Sequence, residues 1–169
     1  LAAVATDFSL VYIEFLPDYL PAMSGSYAWV TADPSWMPDG LNWGEPYLKW
    51  YYPELDYRAT SVPTLTFGVG GVWAGFDDVG VGKEWSCNDH RWIDRQGGQV
   101  YSQTWDILNT YNDAMGITYT LPVSWVQLIT LNDYMEGTTL FASVAITGKD
   151  GQDYGYGYGY QYVQQTETY

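Results

Sequence analysis

Apolar and polar positions change period several times along the chain, and each change marks an element. Phe8–Leu16, F-S-L-V-Y-I-E-F-L, is apolar almost throughout and β-branched at Val11 and Ile13, and Pro17 ends it, which is the pattern of a buried strand. Glu14 inside that run belongs at the strand's mouth or beside a partner, because an isolated buried charge is costly. Ala22–Thr31 holds a second predicted strand, S-Y-A-W-V-T, closed by Asp33 and Pro34. Pro34, Pro38, Gly40, Gly44 and Pro46 then punctuate a loop over 33–46. Pro46–Tyr57 predicts a short helix with Pro46 in its first turn. Trp43, Tyr47, Trp50 and Tyr51 share one side at the helical period, and this reads as the core-facing side.

Thr64–Val72 alternates loosely and carries Gly68, Gly70 and Gly71, so it predicts a strand that something approaches closely. It delivers Trp73, Gly75, Phe76, Asp77 and Asp78 into a long loop over Val79–Gly98, which contains Lys83, Trp85, His90, Arg91, Trp92, Asp94 and Arg95. Gln99–Tyr111 predicts an amphipathic helix with Val100, Trp105 and Leu108 apolar. The first half of Trp125–Thr138, W-V-Q-L-I-T-L-N-D-Y-M-E-G-T, has the composition of a strand buried on both faces. At Asn132 it breaks into a polar turn carrying Asp133, Glu136 and Gly137. Leu140–Thr147 is a further apolar segment, and Gly148–Gly151 is a turn. From Tyr154 to Tyr162 tyrosine occupies every second position, which puts five rings on one face of a strand. Those rings need the body of the protein, a neighbouring subunit or a polysaccharide to lie on, and low-complexity Gly/Tyr also favours association.

Strand, strand, helix, strand, loop, helix, strand is the rhythm of a parallel sheet with crossover helices, an α/β fold. The expected organisation is one domain over 1–148, followed by a Gly/Tyr-rich strand or tail over 149–169. A chain of 169 residues is long enough for one domain with a sizeable core.

Charge narrows the partners. Twenty acids against 6 bases give a formal net charge of −14, which repels phosphate backbones and anionic lipid and argues against nucleic acid and membrane surfaces. No run reaches the ~18 apolar residues of a membrane span. The start carries neither an initiator Met nor a basic segment followed by an apolar one, so a signal peptide is expected to be absent or already removed. Few lysines beside many Tyr, Trp, Asn and Gly lean towards an extracellular or cell-surface protein. Cys87 is the single cysteine and His90 the single histidine, so an internal disulfide is excluded and a thiolate or multi-imidazole metal site is not expected. Both are read as structural, and no cofactor or metal is implied. The surplus is aromatic: 9 Trp, 17 Tyr and 5 Phe exceed what a core needs and suit a surface for sugar rings or for another protein.

Two carboxyl groups close together are the minimum equipment for cutting a glycosidic bond, and a barrel enzyme keeps such groups on the loops after its strands. Asp133 and Glu136 fit that description, as does an ordinary acidic turn after a strand. Asp77 and Asp78 form a second acidic pair at a strand's C-terminal end.

Three fragments taken together carry a resemblance. W-A-G-F-D-D (Trp73–Asp78), W-I-D-R-Q-G-G-Q-V-Y-S-Q-T-W (Trp92–Trp105) and V-Q-L-I-T-L-N-D-Y-M-E-G-T (Val126–Thr138) follow one another as in the C-terminal half of certain (β/α)8 glycoside hydrolases. The chain resembles the group containing the fungal α-1,3-glucanases (mutanases) and the endo-α-mannosidases with their bacterial relatives. In that group the last barrel strand ends in a motif like T-W-N-D-Y-G-E or S-F-N-E-W-H-E-G-T, whose two carboxylate positions are catalytic. The resemblance implies Glu136 as general acid/base and Asp133 as its partner. It further implies Trp29, Trp73 and Tyr134 as stacking platforms, Asp77 and Asp78 as partners of sugar hydroxyls, and Asn132 beside them. Leu131 and Met135 depart from the motif's usual aromatic and its Gly or His.

A whole barrel takes about 250 residues and eight strands, so the resemblance implies half a TIM barrel, either a fragment or a half completed by another chain. The expected partner is a polysaccharide or glycan, with an α-linked glucan or mannan as substrate. Two rival expectations use the same aromatics. One is a non-catalytic self-assembling surface protein that associates through the Gly/Tyr strand and its open sheet edge. The other is a lectin-like carbohydrate-binding module.

Overall fold

The computed structural model describes residues 11–12, 22–31, 42–78, 91–133, 136–140 and 160–169. They belong to two compact units: Leu1–Trp29 with Glu45–Gly71 and Asp106–Gln127, and Val30–Gly44 with Val72–Trp105 and Leu128–Tyr169. The elements in chain order are β1 (Val11–Tyr12), β2 (Gly25–Tyr27), α1 (Glu45–Ala59), β3 (Phe67–Trp73), β4 (Phe76–Asp77), β5 (Trp92–Ile93), α2 (Gln99–Asp113), β6 (Val123–Ile129) and α3 (Gln161–Thr166). Strands β1, β2 and β3 are parallel, with Val11 opposite Gly25 and Ser26 opposite Gly68, and β6 lies beside β3 at the sheet's edge. The α/β class and the parallel sheet therefore match the expectation.

In the first unit the packing follows from β3's glycines. A Cβ on Gly68 would run into the Leu55 side chain of α1, and one on Gly70 would stand 2.9 Å from Leu108 of α2. Strand β3 is bare so that both helices can close on it. Helix α1 buries Leu48, Tyr51, Tyr52 and Leu55, one stripe at the helical period. That stripe is rotated from the expected Trp43–Tyr47–Trp50–Tyr51 side, and Trp50 is 52 % exposed. Tyr52, Tyr111 and Tyr119 continue the core as a stack, with centroids 5.2 Å and 4.4 Å apart. Asp56 ties α1 to the turn before β6 by accepting from the backbone N–H groups of Thr120 and Leu121, both at 2.7 Å.

In the second unit Trp73 is fully buried, and its indole Nε1 donates to the Trp43 carbonyl at 2.9 Å. A ring with no exposed face has no surface to lay on a sugar, so the expected stacking platform is core. Helix α3 docks through its own residues: Tyr162 meets Tyr101 edge-on at 5.5 Å, and Thr166 Oγ1 hydrogen-bonds the Tyr101 hydroxyl at 2.8 Å. The expected Gly/Tyr strand over 154–162 thus meets a helix at Gln161, where the glycine alternation gives way to Gln-Tyr-Val-Gln-Gln-Thr, with glutamine a good helix former. Its earlier part, residues 154–159, lies outside the described residues. So do Glu14, Cys87, His90, Tyr134, Met135 and most of the apolar segment 140–147.

Strand β6 departs most from expectation. It is buried at Val123 and Ile129, but Trp125 is 70 %, Val126 38 % and Leu128 43 % exposed. A run rich in Val, Leu and Ile fits a doubly covered strand, yet among the described residues this one is the last strand of its sheet.

Gly71 tests the tightest backbone approach in the sheet, because a Cβ there would stand 2.5 Å from the Ala28 carbonyl oxygen, which cannot swing away. Gly71→Ala should cost about 2 kcal/mol in urea unfolding, and a variant as stable as the parent would contradict this packing.

Candidate functional site

The acidic loop after β6 is closed at its neck by two threonines. Thr130 N–H donates to the Thr138 carbonyl at 3.0 Å, Leu140 N–H donates to the Thr130 carbonyl at 2.8 Å, and the two hydroxyls meet at 2.7 Å. Within the neck Asp133 shapes the turn. Its N–H donates to Thr130 Oγ1 at 3.1 Å, and its Oδ1 accepts from the Glu136 N–H at 3.0 Å. An aspartate accepting from a backbone N–H a few residues on is a standard way to fold a turn. Gly137 follows at φ 57°, a left-handed position suited to glycine. The same hydrogen bond places Asp133's carboxylate beside the residue that bears the second acid.

Arg95 holds the far side of the loop. It is 8 % exposed, and its Nη2 donates to the carbonyls of Gly137 at 2.7 Å and Thr139 at 2.9 Å. Its guanidinium also lies 5.0 Å from the centre of the Tyr162 ring.

The other acidic pair enters on a short antiparallel ribbon, β4 with β5, in which Phe76 faces Ile93 and Asp77 faces Trp92. Asp77 N–H donates to the Glu136 carbonyl at 2.8 Å, which fastens the ribbon to the acidic loop. Asp78 is 1 % exposed, and both its oxygens are taken by Arg91: Oδ1 accepts from the backbone N–H at 2.9 Å and Oδ2 from Nε at 2.7 Å. The Arg91 guanidinium lies 5.5 Å from the centre of the Phe76 ring.

Glu136 is half-buried, and its carboxyl titrates above the ordinary glutamate value. Burial is the largest cause; the charge of Asp133 pushes the same way, Arg91 opposes, and Asp78 adds a smaller upward push. The structure therefore gathers Asp77, Asp78, Asp133 and Glu136 in the second unit, with Asn132 exposed beside them. Trp29 belongs to the first unit, where it is half-buried, has Tyr27 edge-on at 6.3 Å and donates its backbone N–H to the Tyr47 hydroxyl at 3.4 Å. Two residues that sequence reasoning did not place in the site, Arg91 and Arg95, position its acids. A signal for them lay in the distribution of bases, since three of just 6, Lys83, Arg91 and Arg95, fall in one loop, and Arg95 stands in the fragment Trp92–Trp105. Among the described residues no group of three His, Cys, Asp or Glu side chains could hold a metal ion, and no helix is long and apolar enough to cross a membrane.

No protein-family model matches the sequence, and no curated protein does. Solved structures do. The chain is similar to the GH99 endo-alpha-mannosidase of Bacteroides thetaiotaomicron in complex with BIS-TRIS-propane, at TM-score 0.62 and 16 % identity, over 95 % of this chain and 45 % of that one. A second structure of that organism's GH99 endo-alpha-mannosidase matches at TM-score 0.51 and 16 % identity, over 95 % and 43 %. The chain thus spans less than half the length of the solved chains it matches. At this identity the likeness is one of fold: the chain has a glycoside hydrolase-like α/β fold, corresponding to part of a TIM barrel.

Proposed function

We propose that the chain carries the acid-bearing part of a glycoside hydrolase acting on an α-linked mannan or glucan, outside the cell or at its surface. The observation that carries this reading is the pair on one turn. Glu136 has a raised carboxyl pKa, and Asp133 is fixed beside it by the Glu136 N–H. A glycosidic oxygen is a poor leaving group and needs a proton as the C–O bond breaks. A glutamic acid that keeps its proton to higher pH is suited to give it. Glu136 acts as the general acid, and Asp133 activates the attacking water or assists at the sugar ring. Asp78, with both oxygens on Arg91, serves as the anchor of a cation that limits how far Glu136 is raised. Asp77 and Asn132 remain the candidates for sugar hydroxyls. The mannan preference rests on the similarity to an endo-alpha-mannosidase.

Release of reducing ends from α-mannan and α-1,3-glucan tests the assignment. Glu136→Gln and Asp133→Asn should each lower turnover at least about a hundredfold, and equal turnover in parent and both variants would end it.

The pH dependence has a defined sign. Because the folded state raises Glu136, its protonated form contributes stability that is present below the ordinary glutamate value and lost as pH rises through the raised one. The melting temperature of Glu136→Gln should therefore gain on the parent as pH rises from the ordinary glutamate range through the raised value. Activity should fall over the alkaline part of that rise. A gap that does not change with pH would contradict the environment described for this carboxyl.

A second reading is favoured by β6, the last strand of the sheet among the described residues, where Trp125 stands 70 % exposed. A terminal strand with exposed apolar side chains can receive a further chain, so the protein would serve as a self-assembling surface component. Sedimentation should then show a mass that rises with concentration and a Trp125→Thr variant shifted towards monomer. A monomeric parent at every concentration removes this reading.

A further inference from the structure

Helix α3 takes hold of one arginine at two points. Its Gln161 Nε2 donates to the Gly97 carbonyl at 2.9 Å, two residues beyond Arg95. There the chain turns sharply, with left-handed φ values of 49°, 63° and 96° at Gln96, Gly97 and Gly98. Gly98 is bare where the side chains of Gln161 and Gln165 lie, and a Cβ at that position would run into them. Tyr162, 1 % exposed, then sets its ring 5.0 Å from the Arg95 guanidinium. A cation over an aromatic face is attracted by the ring's quadrupole, most strongly where water is kept out. The stem of the same arginine lies on the corner between β3 and β4, since a Cβ on Gly75 would stand 2.6 Å from Arg95 Cγ. Main chain, stem and guanidinium of Arg95 are each held, two of the three by α3.

A guanidinium carries its donors in a rigid planar fork, so where they point follows from how the plane is held. Arg95 directs Nη2 at the carbonyls of Gly137 and Thr139. Gly137 directly follows Glu136. Thr139 directly follows Thr138, whose N–H donates to the Asp133 carbonyl at 3.2 Å. The two carbonyls thus lie on the returning half of the turn that bears both acids. We propose that Tyr162 is a positioning residue for Asp133 and Glu136: it orients the Arg95 guanidinium, which holds the returning half of the acidic loop in place. Tyr162, the last ring of the Tyr154–Tyr162 alternation, is thereby used inside the second unit. Its effect on catalysis rests on the hydrolase reading above; its effect on where the two carboxyls lie does not.

Titration of the Glu136 carboxyl by carbon-13 NMR, its signal assigned by loss in Glu136→Gln, reads the loop without substrate. Burial is the largest cause of the raised value, so a loosened loop gives Glu136 to water and lowers it. Asp133, Arg91 and Asp78, the charges that act on this carboxyl, stay unchanged in every variant compared. Tyr162→Leu, which removes the ring face, should move the titration down towards the ordinary glutamate value. Gln161→Ala should move it the same way by less, and it carries the test if Tyr162→Leu does not fold. Tyr162→Phe keeps the ring face and should restore the parent's titration. Tyr169→Ala removes the stack of Tyr169 on Trp105 beyond the far end of α3, 5.1 Å between centroids, and should lower the melting temperature alone. On α-mannan or α-1,3-glucan, Tyr162→Leu should lower kcat about tenfold with KM within about twofold, and move the alkaline limb to lower pH. An unshifted Glu136 titration in Tyr162→Leu and Gln161→Ala overturns the proposal. So does an equal shift in Tyr169→Ala, which would leave Tyr162 a structural contact only. If parent and variants release no reducing ends while the titrations move as described, the hydrolase reading falls and the positioning stands.

Discussion

A carboxylate shut away from water has to be met by charge or by hydrogen-bond donors, and Asp78 is nearly sealed, at 1 % exposed. Arg91 meets it twice, once with its backbone and once with its side chain. Because Asp78 directly follows β4 and Arg91 directly precedes β5, satisfying one buried charge also pairs two strands of only two residues each. Strands so short have little cohesion of their own. The ribbon in turn fastens to the acidic loop through Asp77 and Glu136. The arrangement of the acids thus descends from a desolvation problem: the cation that neutralises Asp78 also faces the carboxyl of Glu136 and restrains its upward shift.

The parts of the fold legible in the sequence are those encoded locally. Helices α1 and α2 start at Glu45 and Gln99, within one residue of where Pro46 and the end of the Gly97–Gly98 turn place them. The glycines of β3 announced a close approach and the structure supplies Leu55 and Leu108. What failed depended on partners distant in sequence. Trp73 was expected as a stacking platform, and its burial and bond to Trp43 depend on residues about thirty positions away. The apolar run of β6 speaks of composition, whereas exposure depends on what packs against its faces. Ribbon β4–β5 was invisible because two residues cannot show a period. Asp133 and Glu136 were legible as a pair, but the role of Asp133's carboxylate in folding its own turn was not.

The two acidic loops follow β3 and β6, which are neighbours in the sheet. Placing reactive groups beyond the ends of adjacent strands is the economy of a barrel, where rigid strands aim loops that carry the chemistry. Here two acid-bearing segments follow adjacent strands in a chain matching less than half of the mannosidase, and they are held by contacts internal to the second unit: Arg95 to Gly137 and Thr139, and Asp77 to Glu136.

The threonine neck at Thr130 and Thr138 has a consequence for how such a protein can diverge. Bonded backbone to backbone and hydroxyl to hydroxyl, the neck fixes where the loop leaves and re-enters the scaffold. An exposed residue inside it, such as Asn132, can change what the loop displays while those bonds stay in place.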